Sequence, residues 1–196
     1  QDNPAIICAN KTDLVGDDRA RQLFGIYEAI GYTVIYTSAR LHRGIDALRE
    51  TLAQRTSALI GPSGVGKSSL LNALEPGLGH RVMEVSSVTG KGRHTTTVAE
   101  LVPLALGGWV ADTPGIRALA LFDLDPEEID AYFPDIAPYV PRCGFSDCSH
   151  THEPDCAVVA ALKHGEVNRH RYESYVRLHL EHRKLADMYW WGIDED

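Results

Sequence analysis

The sequence predicts an α/β fold: a domain with a mostly parallel sheet, followed by a small, mainly helical module. Three observations carry this. Apolar runs of strand length alternate with helical periodicity through the first half of the chain. Within that half, Gly61-Pro62-Ser63-Gly64-Val65-Gly66-Lys67-Ser68 follows one apolar run and opens a helical pattern, the strand, loop and helix context of a phosphate-binding loop. Later, three cysteines and two histidines fall within residues 143–156. A chain of 196 residues, 44% of them hydrophobic, suffices for one α/β domain of about 150 residues and a satellite. The boundary is expected at residues 124/125, giving units 1–124 and 125–196.

In order, Ala5-Ile6-Ile7-Cys8-Ala9 reads as a strand ending at Asn10-Lys11-Thr12-Asp13. A helix is expected from Asp17 to Ile30, with Leu23, Ile26, Tyr27 and Ile30 on one face. Tyr32 to Tyr36 forms the second strand, closed by Thr37-Ser38-Ala39. Gly44 to Leu52 reads as a helix burying Ile45, Leu48 and Leu52. Ala58-Leu59-Ile60 is expected as a buried strand end, and Lys67 to Leu74 as the helix after the phosphate loop. Val98 to Leu106 and Gly108 to Ala111 form a hairpin about the Gly107-Gly108 turn. Pro126 to Phe133 reads as a short helix capped by Asp125. Ala157 to Lys163 and Arg169 to about Tyr189 complete the helices, with Tyr172, Val176, Leu180 and Leu185 facing inward. Trp190 and Trp191 cover a seam between modules or stack on bases.

The chemistry of the first half is that of a nucleoside triphosphate. Glycines let successive N–H groups approach phosphate oxygens, Lys67 reaches the β/γ-phosphates, and the Ser68 hydroxyl suits Mg²⁺. The base is guanine if Asp13 accepts its N1–H and 2-amino group, which adenine cannot supply. Lys11 can lie along the base, Asn10 can tie this loop to the phosphate loop, and a backbone N–H near Ser38 and Ala39 can meet the guanine O6. N-K-x-D alone also fits an ordinary polar turn. The expected nucleotide set is Asn10, Lys11, Asp13, Ser38, Ala39, Gly61, Ser63, Gly64, Val65, Gly66, Lys67, Ser68, Ser69, Asp112 and Gly115. Asp112-Thr113-Pro114-Gly115 supplies a Mg²⁺ contact through Asp112 and a γ-phosphate contact through Gly115. Between the two lies Gly92-Arg93-His94-Thr95-Thr96-Thr97, in which a threonine, assigned to Thr96, completes the Mg²⁺ shell beside Ser68 and Asp112.

These loops come in the order base, base, phosphate, switch and D-T-P-G, whereas ordinary G domains begin with the phosphate loop. The chain therefore resembles a circularly permuted GTPase. Permutation leaves sheet and site geometry unchanged when the original termini lie close together at the surface. It also lets the D-T-P-G turn run directly into the next module.

That module carries Cys143, Cys148, His150 and Cys156, spaced C-x4-C-x-H-x5-C. Three thiolates and an imidazole suit tetrahedral Zn²⁺, and four protein ligands leave no open position, so a single structural zinc per chain is expected. His152 competes with His150 as the fourth ligand. Disulfides are the alternative, but three clustered cysteines and a lone Cys8 pair badly.

Together, the permuted order, G-R-H-T-T-T, D-T-P-G-I-R and the cysteine-histidine knuckle resemble the ribosome small-subunit-dependent GTPase A family over nearly the whole chain. The resemblance implies a GTP hydrolase that assists assembly of the small ribosomal subunit, contacts its rRNA, is stimulated by it, and is a cytoplasmic monomer using Mg²⁺ with GTP. It departs in one respect: the family carries an N-terminal OB-fold, and this chain begins at the base-recognition strand, so either the sequence is a truncated part of a longer protein or the natural protein lacks that barrel. A permuted GTPase of large-subunit assembly, and a nucleotide-gated RNA-binding scaffold with little hydrolysis, are the alternatives.

Hydrolysis has a gap. Ile116 stands where many GTPases place a water-orienting glutamine, which implies slow intrinsic turnover. His94 is the nearest substitute, and the family resemblance implies a catalytic role for it beside Lys67. Net charge is −8, yet residues 163–184 hold six Lys/Arg against three Glu, with His164, His170, His179 and His182. A basic helix of this kind suits either phosphate contacts or a solvated face with pairs such as Glu173 and Arg177. No apolar run approaches the roughly 20 residues of a membrane span.

Overall fold

The computed structural model describes residues 4–80, 101–111 and 125–191, the last four without their side chains. His94, Thr96, Asp112, Gly115 and Ile116 lie outside the described residues, as do the rest of both switch loops and the side chains of Trp190 and Trp191. The chain forms two compact units, residues 1–118 and 119–196.

In the first unit, strands β1 (Ile6–Ala9) and β2 (Thr33–Tyr36) pair in parallel, Ile6 opposite Thr33 through Ala9 opposite Tyr36. Helix α1 (Asp17–Glu28) makes the crossover that a parallel pair requires. A second sheet has the order β3, β5, β4, where β3 is Thr56–Ala58, β4 Leu101–Pro103 and β5 Trp109–Ala111. β3 and β5 are parallel, while β4 and β5 form the expected hairpin. Gly107 and Gly108 take φ of 80° and 94° at its turn, values that glycine adopts without strain. Helices α2 (Ile45–Leu52) and α3 (Lys67–Leu74) follow β2 and β3 in the chain. Ile45, Leu48 and Leu52 pack with Leu70, Leu71 and Leu74 against Ile35, Val102 and Val110. Burial of each such side chain contributes about 1.5–3 kcal/mol, and it anchors the starts of α2 and α3 beside the loops that carry the site.

Two expectations for this unit are corrected. Ile60 is 58% exposed and Ala58 is exposed; among the described residues β3 pairs with β5 alone, and of the three residues Leu59 packs on the core. On α1 the buried residue is Ala20 and Leu23 is exposed. The helix is slightly rotated from the face its larger apolar residues suggested.

The first described element of the second unit is a 3-10 helix, Pro126–Tyr132, whose first turn is capped by Asp125 Oδ1 accepting from Glu127 N at 3.0 Å. Helices α4 (Ala157–His164) and α5 (Arg169–Trp191) follow the cysteine segment. Ile129, Phe133, Ile136, Val158, Val167 and Tyr175 form its core. The inward face of α5 differs from the expectation. Leu180 and Leu185 are exposed, whereas Tyr175, His179 and His182 are buried, with Tyr172 and Val176 partly so. Two histidines counted toward a basic surface therefore lie inside. Arg171 is also withdrawn from that surface: its guanidinium binds both oxygens of Asp135, with Nη2 2.8 Å from Oδ1, and lies 4.6 Å from the centre of the Phe133 ring. Glu173 pairs with His170 at 3.6 Å.

Candidate nucleotide site and metal centre

The two strand ends of the β1–β2 pair bring their loops together. Thr37 N donates to Ala9 O at 2.8 Å, and Thr12 N and Oγ1 both donate to Thr37 O at 3.1 Å, so each loop is fixed by the backbone of the other. Asn10 is the junction. Its Oδ1 accepts from Thr37 Oγ1 at 3.2 Å and from Ala39 N at 3.3 Å, while Nδ2 donates to Val65 O at 2.9 Å. One side chain thus joins both base loops to the phosphate loop, as its type and position anticipated.

Gly66, the residue before α3, has φ of 97°, and a Cβ there would lie 2.5 Å from Asn10 Nδ2. The close approach of the two loops therefore requires glycine. Lys11, itself left-handed at φ 65°, donates to Gly64 O at 2.6 Å. Lys67 Nζ donates to Gly61 O at 2.5 Å and Pro62 O at 3.0 Å, curling over its own loop. Ser68 and Ser69 stand exposed on the first turn of α3, where the helix dipole favours an anion.

Both oxygens of the Asp13 carboxylate are engaged. Ser38 Oγ donates to Oδ1 at 2.6 Å, and Arg40 approaches Oδ2 with Nε at 3.0 Å and Nη2 at 2.8 Å. The Ser38 hydrogen bond holds the carboxyl below the usual range; burial opposes this and Arg40 adds to it. Asn10, Lys11, Asp13, Ala39, Gly66 and Ser69 line one cavity of about 290 Å³ with Leu14 and Arg40. Arg40 was not anticipated; its adjacency to Thr37-Ser38-Ala39 was the available signal. The Mg²⁺ and switch positions Thr96, Asp112 and Gly115, and the catalytic candidate His94, cannot be placed in this geometry because they fall outside the described residues.

In the second unit the four ligand atoms of Cys143, Cys148, His150 and Cys156 all lie within 4.8 Å of one another. His150 Nδ1 is 3.5 Å from both Cys143 Sγ and Cys156 Sγ, and its Nε2 donates to Asp130 Oδ2 at 3.0 Å. That carboxylate fixes the ring with Nδ1 facing the sulfurs, a common arrangement for a metal-ligating histidine. His152 points elsewhere, exposed and bonded to Thr151. All four cysteines are free thiols. Burial pushes the Cys148 thiol up to about 12 and raises Cys156 as well. Three sulfurs and an imidazole nitrogen in one compact cluster form a donor set that suits a soft divalent cation.

The segment between the ligands is held from both sides. Glu153 accepts from Ser149 N, Ser149 Oγ, Thr151 N and His152 N. Burial would raise its carboxyl, but these hydrogen bonds outweigh it and hold the group far below the carboxylate range. Tyr172 and Tyr175 donate to the carbonyls of His150 and Ser149 at 2.7 and 3.0 Å. These hydrogen bonds hold the segment that carries Cys148 and His150 in place.

Against known proteins, the model of the family described as RsgA GTPase matches residues 1–122. The chain belongs to the RsgA GTPase family. A curated member from Moorella thermoacetica, named small ribosomal subunit biogenesis GTPase RsgA, is 51% identical over 176 residues, covering 90% of this chain and 60% of the relative. A member of the same name from Thermotoga maritima is 45% identical, with coverage of 90% and 60%. The chain thus spans about 60% of the length of these RsgA relatives. The crystal structure of YjeQ from Thermotoga maritima superposes with a TM-score of 0.73 at 40% identity, over 91% of this chain and 60% of that one. YloQ, described as a circularly permuted GTPase, gives 0.67 at 33% identity, over 91% and 57%. The fold is accordingly that of a circularly permuted P-loop GTPase domain followed by a small helical module with a cysteine-histidine cluster.

Proposed function

We propose that this chain binds GTP and GDP, hydrolyses GTP, and serves as a nucleotide-gated factor in maturation of the small ribosomal subunit in the cytoplasm. The observation that carries the reading is Asn10, which joins the Asp13 loop, the Ser38-Ala39 loop and the phosphate loop. Such stitching has a purpose where one ligand spans all three. The names of the RsgA relatives support the ribosomal assignment.

In this reading Asp13 accepts from guanine, and Gly61, Ser63, Gly64, Val65, Gly66, Lys67, Ser68 and Ser69 hold the phosphates. Ser68, Thr96 and Asp112 are assigned to Mg²⁺, which would neutralise phosphate charge when bound. His94 is assigned to orienting water, since Ile116 cannot. Gly115 reads the γ-phosphate and connects to a second functional unit, taken as 125–196, whose Cys143, Cys148, His150 and Cys156 hold one structural zinc. The chain acts as a monomer that contacts rRNA of the small subunit.

The test is multiple-turnover phosphate release from GTP with and without purified small subunits. Stimulation by small subunits that falls in His94→Ala, with GTP binding retained, is expected. Stimulation by large subunits alone would assign the chain to the other assembly pathway. Absence of turnover with either subunit would leave a nucleotide-gated scaffold.

A further inference from the structure

Ser68 lies in the first turn of α3, and the chain that leaves this helix turns back onto it. Leu78, with no exposed surface, packs into the core with Leu70, Leu71 and Leu74. Its neighbour Gly79 is buried against the helix backbone, where a Cβ would lie 2.7 Å from the carbonyl oxygen of Ser68 and 3.0 Å from both Oδ1 and Nδ2 of Asn72. Gly79 is not left-handed, so contact rather than backbone conformation excludes a side chain there. The nearest atom is main chain and cannot swing aside.

Asn72 holds this approach in place. Its Oδ1 accepts from Gly79 N at 2.9 Å. The amides on either side are satisfied within the turn, Leu78 N by Glu75 O and His80 N by Gly77 O, both at 3.1 Å, so Asn72 takes the buried donor that the turn itself leaves over. Asparagine is a poor residue for a helix interior, and its place between Leu71 and Ala73 is explained by this acceptor. It stands about one helical turn beyond Ser68, on the same side of α3.

We propose that Asn72 is a positioning residue for Mg²⁺: by holding Gly79 against the Ser68 carbonyl, it fixes the first turn of α3 and the direction in which the Ser68 hydroxyl is presented. The proposal rests on the assignment of Ser68 to Mg²⁺. Ser68 and Ser69 are exposed, and a first helical turn has no earlier turn to brace it, so the brace comes from behind, through Gly79. Mg²⁺ demands near-ideal octahedral geometry and is sensitive to a small displacement of a ligand. Guanine contacts at Asn10 and Asp13 do not pass through the Ser68 hydroxyl.

The test titrates the full chain with a fluorescent GDP analogue, in excess EDTA and at rising Mg²⁺. In Asn72→Ala the Mg²⁺ midpoint is expected to rise about three- to tenfold, the range of one hydrogen bond, while affinity in EDTA stays within about twofold of the parent's. Asn72→Asp keeps an acceptor for Gly79 N and returns the midpoint to the parent value or below it. Gly79→Ala keeps the donor but drives a methyl against Ser68 O, and raises the midpoint at least as far as Asn72→Ala. Amide exchange at Ser68, Ser69 and Leu70 quickens in Asn72→Ala with β1 and β2 unchanged, which separates a loosened turn from a loosened domain. A parental midpoint in Asn72→Ala or Gly79→Ala, an equal loss in EDTA and in Mg²⁺, or no rescue by Asn72→Asp overturns the proposal. Ser68→Ala tests the assignment beneath it. If Ser68→Ala keeps the parent's Mg²⁺ midpoint, that assignment falls and the proposal with it; if it loses Mg²⁺ dependence while Asn72→Ala matches the parent, the proposal alone falls.

Discussion

Arg40 sits on the carboxylate of Asp13. The guanidinium contacts Oδ2 through Nε at 3.0 Å and Nη2 at 2.8 Å, while the Asp13 side chain is only 5% exposed. With Ser38 on the other oxygen, both edges of the carboxylate are engaged, and a guanine reading Asp13 must displace Arg40. Displacement is feasible because Arg40 is 72% exposed and enters water when released.

Arg40→Ala is therefore expected to speed association of a fluorescent GDP analogue and to tighten its binding about two- to fivefold, the range of an exposed ion pair. Stopped-flow mixing measures it. Slower association and weaker binding would mean that Arg40 supports the base instead of competing with it.

Asp13→Asn exchanges an acceptor for a donor facing the guanine amine. Binding should shift from guanosine to xanthosine nucleotides, with GDP affinity falling at least about 100-fold, on the scale of a buried unpaired polar group. The Ser38 hydrogen bond lowers the folded-state pKa of Asp13. The group's contribution is thus complete above its unfolded value of about 3.9 and declines only as pH falls through the lower folded value. GDP affinity should be flat with respect to this group from about pH 5 to 8. Calorimetric titration across that range checks both statements.

The loops were legible because their residue types are specific. Gly66, Lys67 and Asn10 have few substitutes, and the contact of Asn10 with Val65 across 55 residues follows from what its amide can donate. The orientation of α5 was not legible. Leu180 and Leu185 are apolar and His179 and His182 are titratable, so periodicity placed the leucines inside. The decision lies in contacts absent from local sequence: Tyr175 packs edge-on against Phe133 at 5.5 Å and reaches Ser149 O, which fixes the helix rotation and brings His179 to Pro126. The same holds for Arg171, which looked like surface charge until Asp135, 36 residues earlier, met it. The choice between His150 and His152 likewise depended on Asp130, 20 residues from His150.

That Asp135–Arg171 pair supports a stability prediction. Side-chain exposures are 6% for Asp135 and 12% for Arg171, so removing either partner takes the matching charge from a largely desolvated pair. Asp135→Ala should cost about 3–5 kcal/mol in urea denaturation of the metal-loaded chain. Arg171→Lys should also destabilise it, because an ammonium cannot make the forked contact or lie flat on Phe133. A double variant with apolar residues at both positions should be less destabilised than Asp135→Ala. Equal stability of Asp135→Ala and the parent chain would show the pair to be ornamental.

For the metal centre, the purified chain should contain one zinc, and Cys148→Ser and His150→Ala should lose it together with protection of residues 140–160 from hydrogen exchange. His152→Ala should retain zinc, since that ring lies on the exposed side of the segment and outside the four-atom cluster. Asp130→Asn is the finer probe. It leaves every ligand in place but replaces the carboxylate that accepts from His150 Nε2, so zinc should still bind, about 10- to 100-fold more weakly by competition with a colorimetric chelator. Loss of zinc in His152→Ala with retention in His150→Ala would reverse the ligand assignment. Unchanged affinity in Asp130→Asn would mean that the ring is oriented by the three sulfurs and the backbone alone.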